Sequence, residues 1–356
     1  MRFGWLTLAH SASPEADAQG IDEQLEQAIC ADALGFDGVW LTEHNFTGES
    51  VYCDPIVFAA ALAGRTERIR IGFAVIQLAL RHPVRLAVQL ALLDNLCGGR
   101  LDVGVGRGSI YNEYEYAGYG LRSDDSRERA AESLEILTRA WTEAPFRYDG
   151  KYYQLAFPEL RPKPRQIPHP PIWRSAVSAP SFRESGRLGA PILTPRIPVE
   201  RIPERLRLYA EGLAEGGHDE AFARRRLSEA AVWRHVYVGT SQAEAEDTLA
   251  AAVLHTRQHM LHARQEHNPS DFRVDHAFVN PFNDPAVGDA DAVTWSLETG
   301  ALCGTPARVA DQLAALRDAG VGHLLCQLSF GYMAQEQILA SMRRFAEHVM
   351  PRFRAA

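Results

Sequence analysis

At 356 residues, with 46% hydrophobic and 23% charged side chains, the chain is globular and long enough for one large core or two ordinary ones. A formal net charge of −8 gives no basic surface to select nucleic acid or an anionic membrane. Five scattered cysteines (Cys30, Cys53, Cys97, Cys303, Cys326) form no CxxC, and the N-terminus MRFGWLTLAH turns polar too soon for a signal peptide. With no run of about 18 apolar residues to span a bilayer, the expectation is a reduced, cytoplasmic protein.

Strands and helices alternate along the chain. Residues 2–8 read as a strand and 21–34 as an amphipathic helix; Gly35 and Gly38 precede a second strand over 39–42. A helix over 55–65 leads to a strand–helix–strand unit: strand 71–76, a helix opened by Pro83 and closed at Gly98-Gly99, then strand 101–105. A long loop, 109–125, precedes a helix over 126–141. Tyr148-Asp149-Gly150-Lys151 reads as a tight hairpin turn needing a positive φ, and 161–171, with five prolines, as a connection. Further strands are expected at 172–176, 191–194, 231–238 and 323–328. Eight strands with intervening helices predict a (β/α)8 TIM barrel with insertions, one domain over 1–356. A doubly wound sheet fits less well, because residues 7–14 after the first strand contain no glycine.

In such a barrel the chemistry sits at the C-terminal strand ends. These deliver His10, then Glu43-His44-Asn45-Phe46, then Gln77 and Arg81-His82, then Gly106-Arg107-Gly108, and finally 175–181. Three histidines, His10, His44 and His82, suit proton exchange near neutral pH. Ser178, followed two residues later by Pro180, reads as a helix N-cap. Its free N–H groups, with the hydroxyls of Ser178 and Ser181, make a phosphate cradle that Arg107 closes from the neighbouring strand. A mononucleotide phosphate is the natural ligand.

These segments carry a resemblance. Thr42-Glu43-His44-Asn45-Phe46, the run Leu80-Arg81-His82-Pro83-Val84-Arg85-Leu86-Ala87, Gly98-Gly99-Arg100-Leu101 and Gly104-Val105-Gly106-Arg107-Gly108 match the bacterial luciferase-like flavin-dependent monooxygenases in order and spacing. His169-Pro170-Pro171-Ile172-Trp173 and Gly304-Thr305-Pro306 extend the match over nearly the whole chain. The resemblance implies a barrel that takes reduced FMN from a separate flavin reductase and oxygenates a small organic substrate with O2 through a C4a-peroxyflavin. It also implies that Arg107, Ser178 and Ser181 hold the phosphate with the Ala176 and Val177 backbone nearby. Ala74-Val75 falls at a non-prolyl cis peptide under the flavin, and His44 at the catalytic histidine. Gly106 stands where the light emitters carry a cysteine, and Asn45 where they carry a second histidine; both departures argue against light emission.

Residues 268–298, weakly periodic and with five aspartates, are expected to form an active-site lid. His255, His259 and His262 share helical spacing, but LHTRQHMLHARQEH offers no acidic partner within it and is expected outside the barrel, so no metal is assigned. The small and aliphatic residues of helices 55–65 and 83–96 suggest a homodimer contact. Two alternatives keep the fold: a deazaflavin (F420)-dependent hydride-transfer enzyme, and a non-catalytic flavin-binding relative.

Overall fold

The computed structural model describes residues 1–8, 10–274 and 279–354. In chain order it runs β1 (Arg2–Thr7), α1 (Asp17–Ala33), β2 (Gly38–Leu41), α2 (Pro55–Ala63), β3 (Arg70–Phe73), β4 (Ile76–Gln77), α3 (Pro83–Leu96) and β5 (Leu101–Gly106). Then come α4 (Glu113–Gly118), α5 (Ser126–Thr142), β6 (Phe146–Asp149), β7 (Gln154–Phe157), β8 (Ile172–Ser175), α6 (Ala179–Arg187), β9 (Ile192–Thr194), α7 (Ile202–Glu215) and α8 (Glu220–Glu229). The chain continues through β10 (Ala231–Val238), α9 (Gln242–His267), α10 (Asp289–Gly300), β11 (Ala301–Gly304), α11 (Pro306–Asp318), β12 (His323–Ser329) and α12 (Gln335–Arg344). Strands β1, β2, β3, β5, β8, β9, β10 and β12 pair in parallel in that order, and β12 returns to β1. This is the closed (β/α)8 barrel that the alternation predicts.

Local chemistry sets the element ends. Pro83 occupies the first turn of α3, and Gly98 and Gly99, at φ 67° and 85°, end it in the left-handed region. Between these caps Leu86, Ala87, Leu90, Ala91 and Leu93 are buried against the barrel. Inside the barrel, Trp40 fills the space that two glycines leave: a Cβ on Gly4 or Gly72 would come within 2.6 or 2.5 Å of its ring. Trp40 meets Trp173 edge-on at 5.0 Å, and Leu6, Leu193 and Leu325 complete this apolar plug. The interior below the mouth is therefore packed, and the space for chemistry lies above it.

Gly104 is the tightest contact in the wall: a Cβ there would sit 1.7 Å from the Phe73 carbonyl oxygen. Backbone cannot yield as a side chain does, so Gly104→Ala is expected to destabilise the fold by roughly 3 kcal/mol or more. A lowered denaturant midpoint, or loss of soluble protein, checks this.

Four expectations need correction. The run 71–76 is not one strand; it breaks at Ala74–Val75, whose peptide is cis, and β4 then pairs with β5 alone. Gly150 does not enter the left-handed region. The hairpin loop is four residues, 150–153, with Gly150 N donating to Tyr153 O and Glu132 accepting from the Lys151 and Tyr152 N–H groups. A carboxylate from α5 does the work expected of a special backbone angle. The long loop 109–125 contains α4, and the 268–298 segment contains α10, with residues 275–278 of that segment outside the described ones.

One irregularity shapes the mouth. Ala231 and Val232 of β10 pair with β9, but His235 to Val238 pair with β11 instead. The wall therefore parts between β9 and β10 near its C-terminal rim, and α10, which leads into β11, lies beside the gap.

Candidate active site

His44 follows β2 directly and stands between two carboxylates. Its Nδ1 lies 3.2 Å from Glu115 Oε1 and its Nε2 3.3 Å from Glu49 Oε1. The imidazole keeps a quarter of its surface, whereas Glu49 and Glu115 are 1% and 0% exposed. Neutral imidazole has one N–H, so facing acceptors at both nitrogens suits only the imidazolium. Burial lowers its pKa, but the charge of Glu49 and the hydrogen bond and charge of Glu115 outweigh that and lift it to about 9.

Glu115, on α4, is held by more than His44. Gln77 Nε2 donates to its Oε2 at 2.6 Å and Asn112 Nδ2 to its Oε1 at 2.7 Å, while Asn45 reaches Oε2 at 3.4 Å. Burial raises its pKa, but these bonds and His44 bring it below the usual carboxylate range. Gln77, at the end of β4, also donates its backbone N–H to Glu43 Oε2, and Arg81 donates from Nε and Nη2 to Glu43 Oε1. Glu43 is thus a structural anchor that fixes Gln77, which in turn orients Glu115.

The other two predicted histidines are placed differently. His10 packs edge-on against His259 at 5.1 Å, and burial with the charges of His259 and His44 lowers its pKa to about 3. His259 comes from α9, expected outside the barrel; instead its Nδ1 lies 2.6 Å from the Tyr332 hydroxyl at the rim. His82 is exposed, precedes α3 and packs edge-on against the Tyr153 ring at 5.6 Å. His44 and His10 share the mouth, and His82 stands apart from them.

A second locus spans neighbouring strand ends, because Val105 of β5 pairs with Arg174 of β8. Arg107 follows β5, and among the described residues no carboxylate pairs with its guanidinium. Ser178 caps α6 by position but gives its hydroxyl to no helix N–H; Val177 N donates to Ser181 Oγ at 3.0 Å. Ala176 is buried beneath them and Val177 is exposed. A Cβ on Gly106 would fall 2.6 Å from Val75, so Gly106 lets the cis Ala74–Val75 segment lie flush against β5. The Ser178 hydroxyl donates instead to Ser181 Oγ at 3.4 Å, so a guanidinium without a carboxylate, a pair of linked hydroxyls and a helix start stand at these strand ends, a set that suits a phosphate.

Sequence reasoning missed Glu49, Glu115, Asn112 and Gln77's part in orienting them. A roof over this network is tied to it. Arg264 Nε on α9 donates to Asn112 Oδ1, and Asn268 joins Tyr111 O to Tyr114 N. Among the described residues no group of His, Cys, Asp and Glu is arranged to hold a metal, and no helix is long and apolar enough to cross a membrane.

The family model described as luciferase-like monooxygenase matches residues 1–323. Protein y4wF of Sinorhizobium fredii is 32% identical over 340 residues, covering 95% of this chain and 93% of that one. The oxygenase component of a flavin-dependent trigonelline monooxygenase from Acinetobacter baylyi is 25% identical, covering 99% and 96%. Among solved structures, monooxygenase RslO1 from Streptomyces bottropensis superposes with a TM-score of 0.82 at 27% identity, over 99% of this chain and 100% of that one. The chain therefore belongs to the luciferase-like monooxygenase family and is, by that membership, an oxygenating enzyme.

Proposed function

We propose that this flavin-dependent monooxygenase takes reduced FMN and O2 and places one oxygen atom in a small organic substrate, the other leaving as water. The observation that carries the reading is the Arg107 guanidinium, without a carboxylate partner among the described residues, after β5, while the adjacent strand β8 leads to Ser178 at the start of α6; together they are read as a cradle for the FMN phosphate. Ser181 and the Val177 backbone complete it, with Gly106 and Ala74–Val75 forming the surface for the flavin ring. Reduced flavin, when bound, supplies two electrons and activates O2. His44, an imidazolium between Glu49 and Glu115, holds a transferable proton at the mouth. The segment 268–298 acts as the lid that excludes water. A separate flavin reductase supplies the reduced FMN, consistent with the oxygenase-component relative.

Val57, Leu92 and Leu96 expose 68%, 48% and 57% of their surface on the packed helices α2 and α3. A second copy of the chain is proposed to cover them, and sedimentation of a species of twice the 39.5 kDa chain mass is the expected result.

The functional test mixes anaerobic protein and reduced FMN with oxygenated buffer and follows flavin absorbance. Reoxidation slower than that of free flavin, with oxygen consumed, supports the reading. Binding of F420 with no oxygen uptake would replace it with hydride transfer.

A further inference from the structure

Arg196 follows β9 at the place where the barrel wall parts. Three rings wall in its guanidinium, those of Trp233 at 4.8 Å, Phe282 at 4.9 Å and Trp295 at 6.0 Å. Nη1 meets His235 Nε2 at 2.8 Å and donates to Ser296 Oγ on α10. Among the described residues Nε and Nη2 have no acceptor, and no carboxylate pairs with the group. The stem of the side chain passes the end of α10 at Gly300, where a Cβ would come 2.3 Å from Arg196 Cδ.

A guanidinium packed among aromatic rings without counter-charge is an uncompensated cation, and burial with the nearby Arg234 lowers its pKa to about 9. The strand wall on the barrel side of Arg196 holds further unsatisfied polar groups. Gln327 of β12 stands in register with His235 and is 1% exposed, yet both its amide atoms lack partners. His235 Nδ1 is also buried and unpartnered. Two other arginines show the contrast. Arg81 forks onto Glu43, and buried Arg257 reaches Asp289 and the carbonyls of Pro281, Phe282, Asp284 and Val287. Arg196 is built differently, with two donor positions of a rigid fork left open.

We infer that Arg196 receives a carboxylate of the substrate, so that the enzyme oxygenates an organic acid whose apolar body is taken by the Trp233, Phe282 and Trp295 rings. The guanidinium fork matches a planar carboxylate through two parallel N–H bonds, and the surrounding rings exclude water from the pair. Gln327 offers an amide to the same ligand. The inference names the substrate class of the oxygenation proposed above and rests on that reading. It is tested without flavin so that the two fail separately.

Flavin-free protein is titrated near neutral pH with benzoate, phenylacetate and decanoate, each beside its neutral amide, and tryptophan emission is followed. At least one acid is expected to saturate the response and to bind about tenfold or more tightly than its amide. Arg196→Gln should reduce the acid to the amide's affinity, while Arg196→Lys keeps part of the preference; circular dichroism checks folding. Gly300→Ala retains the charge but displaces the stem, and should weaken the acid alone. The inference is overturned if no acid binds, if acid and amide bind alike, or if Arg196→Gln leaves the acid's affinity unchanged. It also falls if that variant loses only FMN affinity, since the guanidinium would then serve the flavin. A carboxylate preference without slowed flavin reoxidation would retain the anion site and remove the oxygenase reading.

Discussion

His44→Ala is expected to lower oxygenation by two to four orders of magnitude while FMN binds as in the parent, since a positioned acid or base contributes about 10²–10⁴-fold. The imidazole belongs to the Glu49–His44–Glu115 set and touches none of the groups assigned to the phosphate. Binding and turnover should therefore separate. Single-turnover product yield with reduced FMN measures one, and anaerobic flavin titration the other; parallel losses in both would remove His44 from the chemistry.

The same histidine sets a pH window. Its folded pKa of about 9 lies above the ordinary 6.5, so the imidazolium's contribution to stability is complete below 6.5 and is lost as pH rises through 9. That shift corresponds to about 3 kcal/mol. Groups facing the ring are Glu49, Glu115, Arg264 and His10, and His10, with its pKa near 3, stays neutral throughout this range. Denaturant midpoints should thus fall between pH 6.5 and 9 in the parent and far less in His44→Gln.

Arg107→Ala is expected to weaken FMN binding roughly 10- to 100-fold, the cost of losing hydrogen bonds to a charged phosphate. Among the described residues the guanidinium supports no ion pair of the fold, so its removal should leave the melting temperature near that of the parent. Riboflavin, which lacks the phosphate, provides the control: its affinity should not change. If both flavins weaken equally, Arg107 does not read the phosphate.

What was legible in the sequence is what short-range chemistry decides. Pro83 and the Gly98-Gly99 pair bound α3 because caps act within one turn, and the strand runs show in their apolar β-branched residues. His44 was visible because a strand end delivers it. Its partners were not. Glu115 lies 71 residues away, within a glutamate–tyrosine alternation whose period of two is not that of a helix, so the sequence pattern does not reveal α4. The family resemblance located the cis peptide at Ala74–Val75, where the local pattern reads as an unbroken strand. The inward turn of His259 depends on how α9 crosses the mouth, which no spacing within that helix records.

The ties between α9 and the α4 segment have a mechanical consequence. Arg264 grips Asn112, Asn112 grips Glu115, and Glu115 grips His44, so roof and acid form one linkage. A displacement of α9 would pull on the carboxylate that keeps His44 charged. The position of the roof and the charge state of the acid are thereby tied through three side-chain contacts.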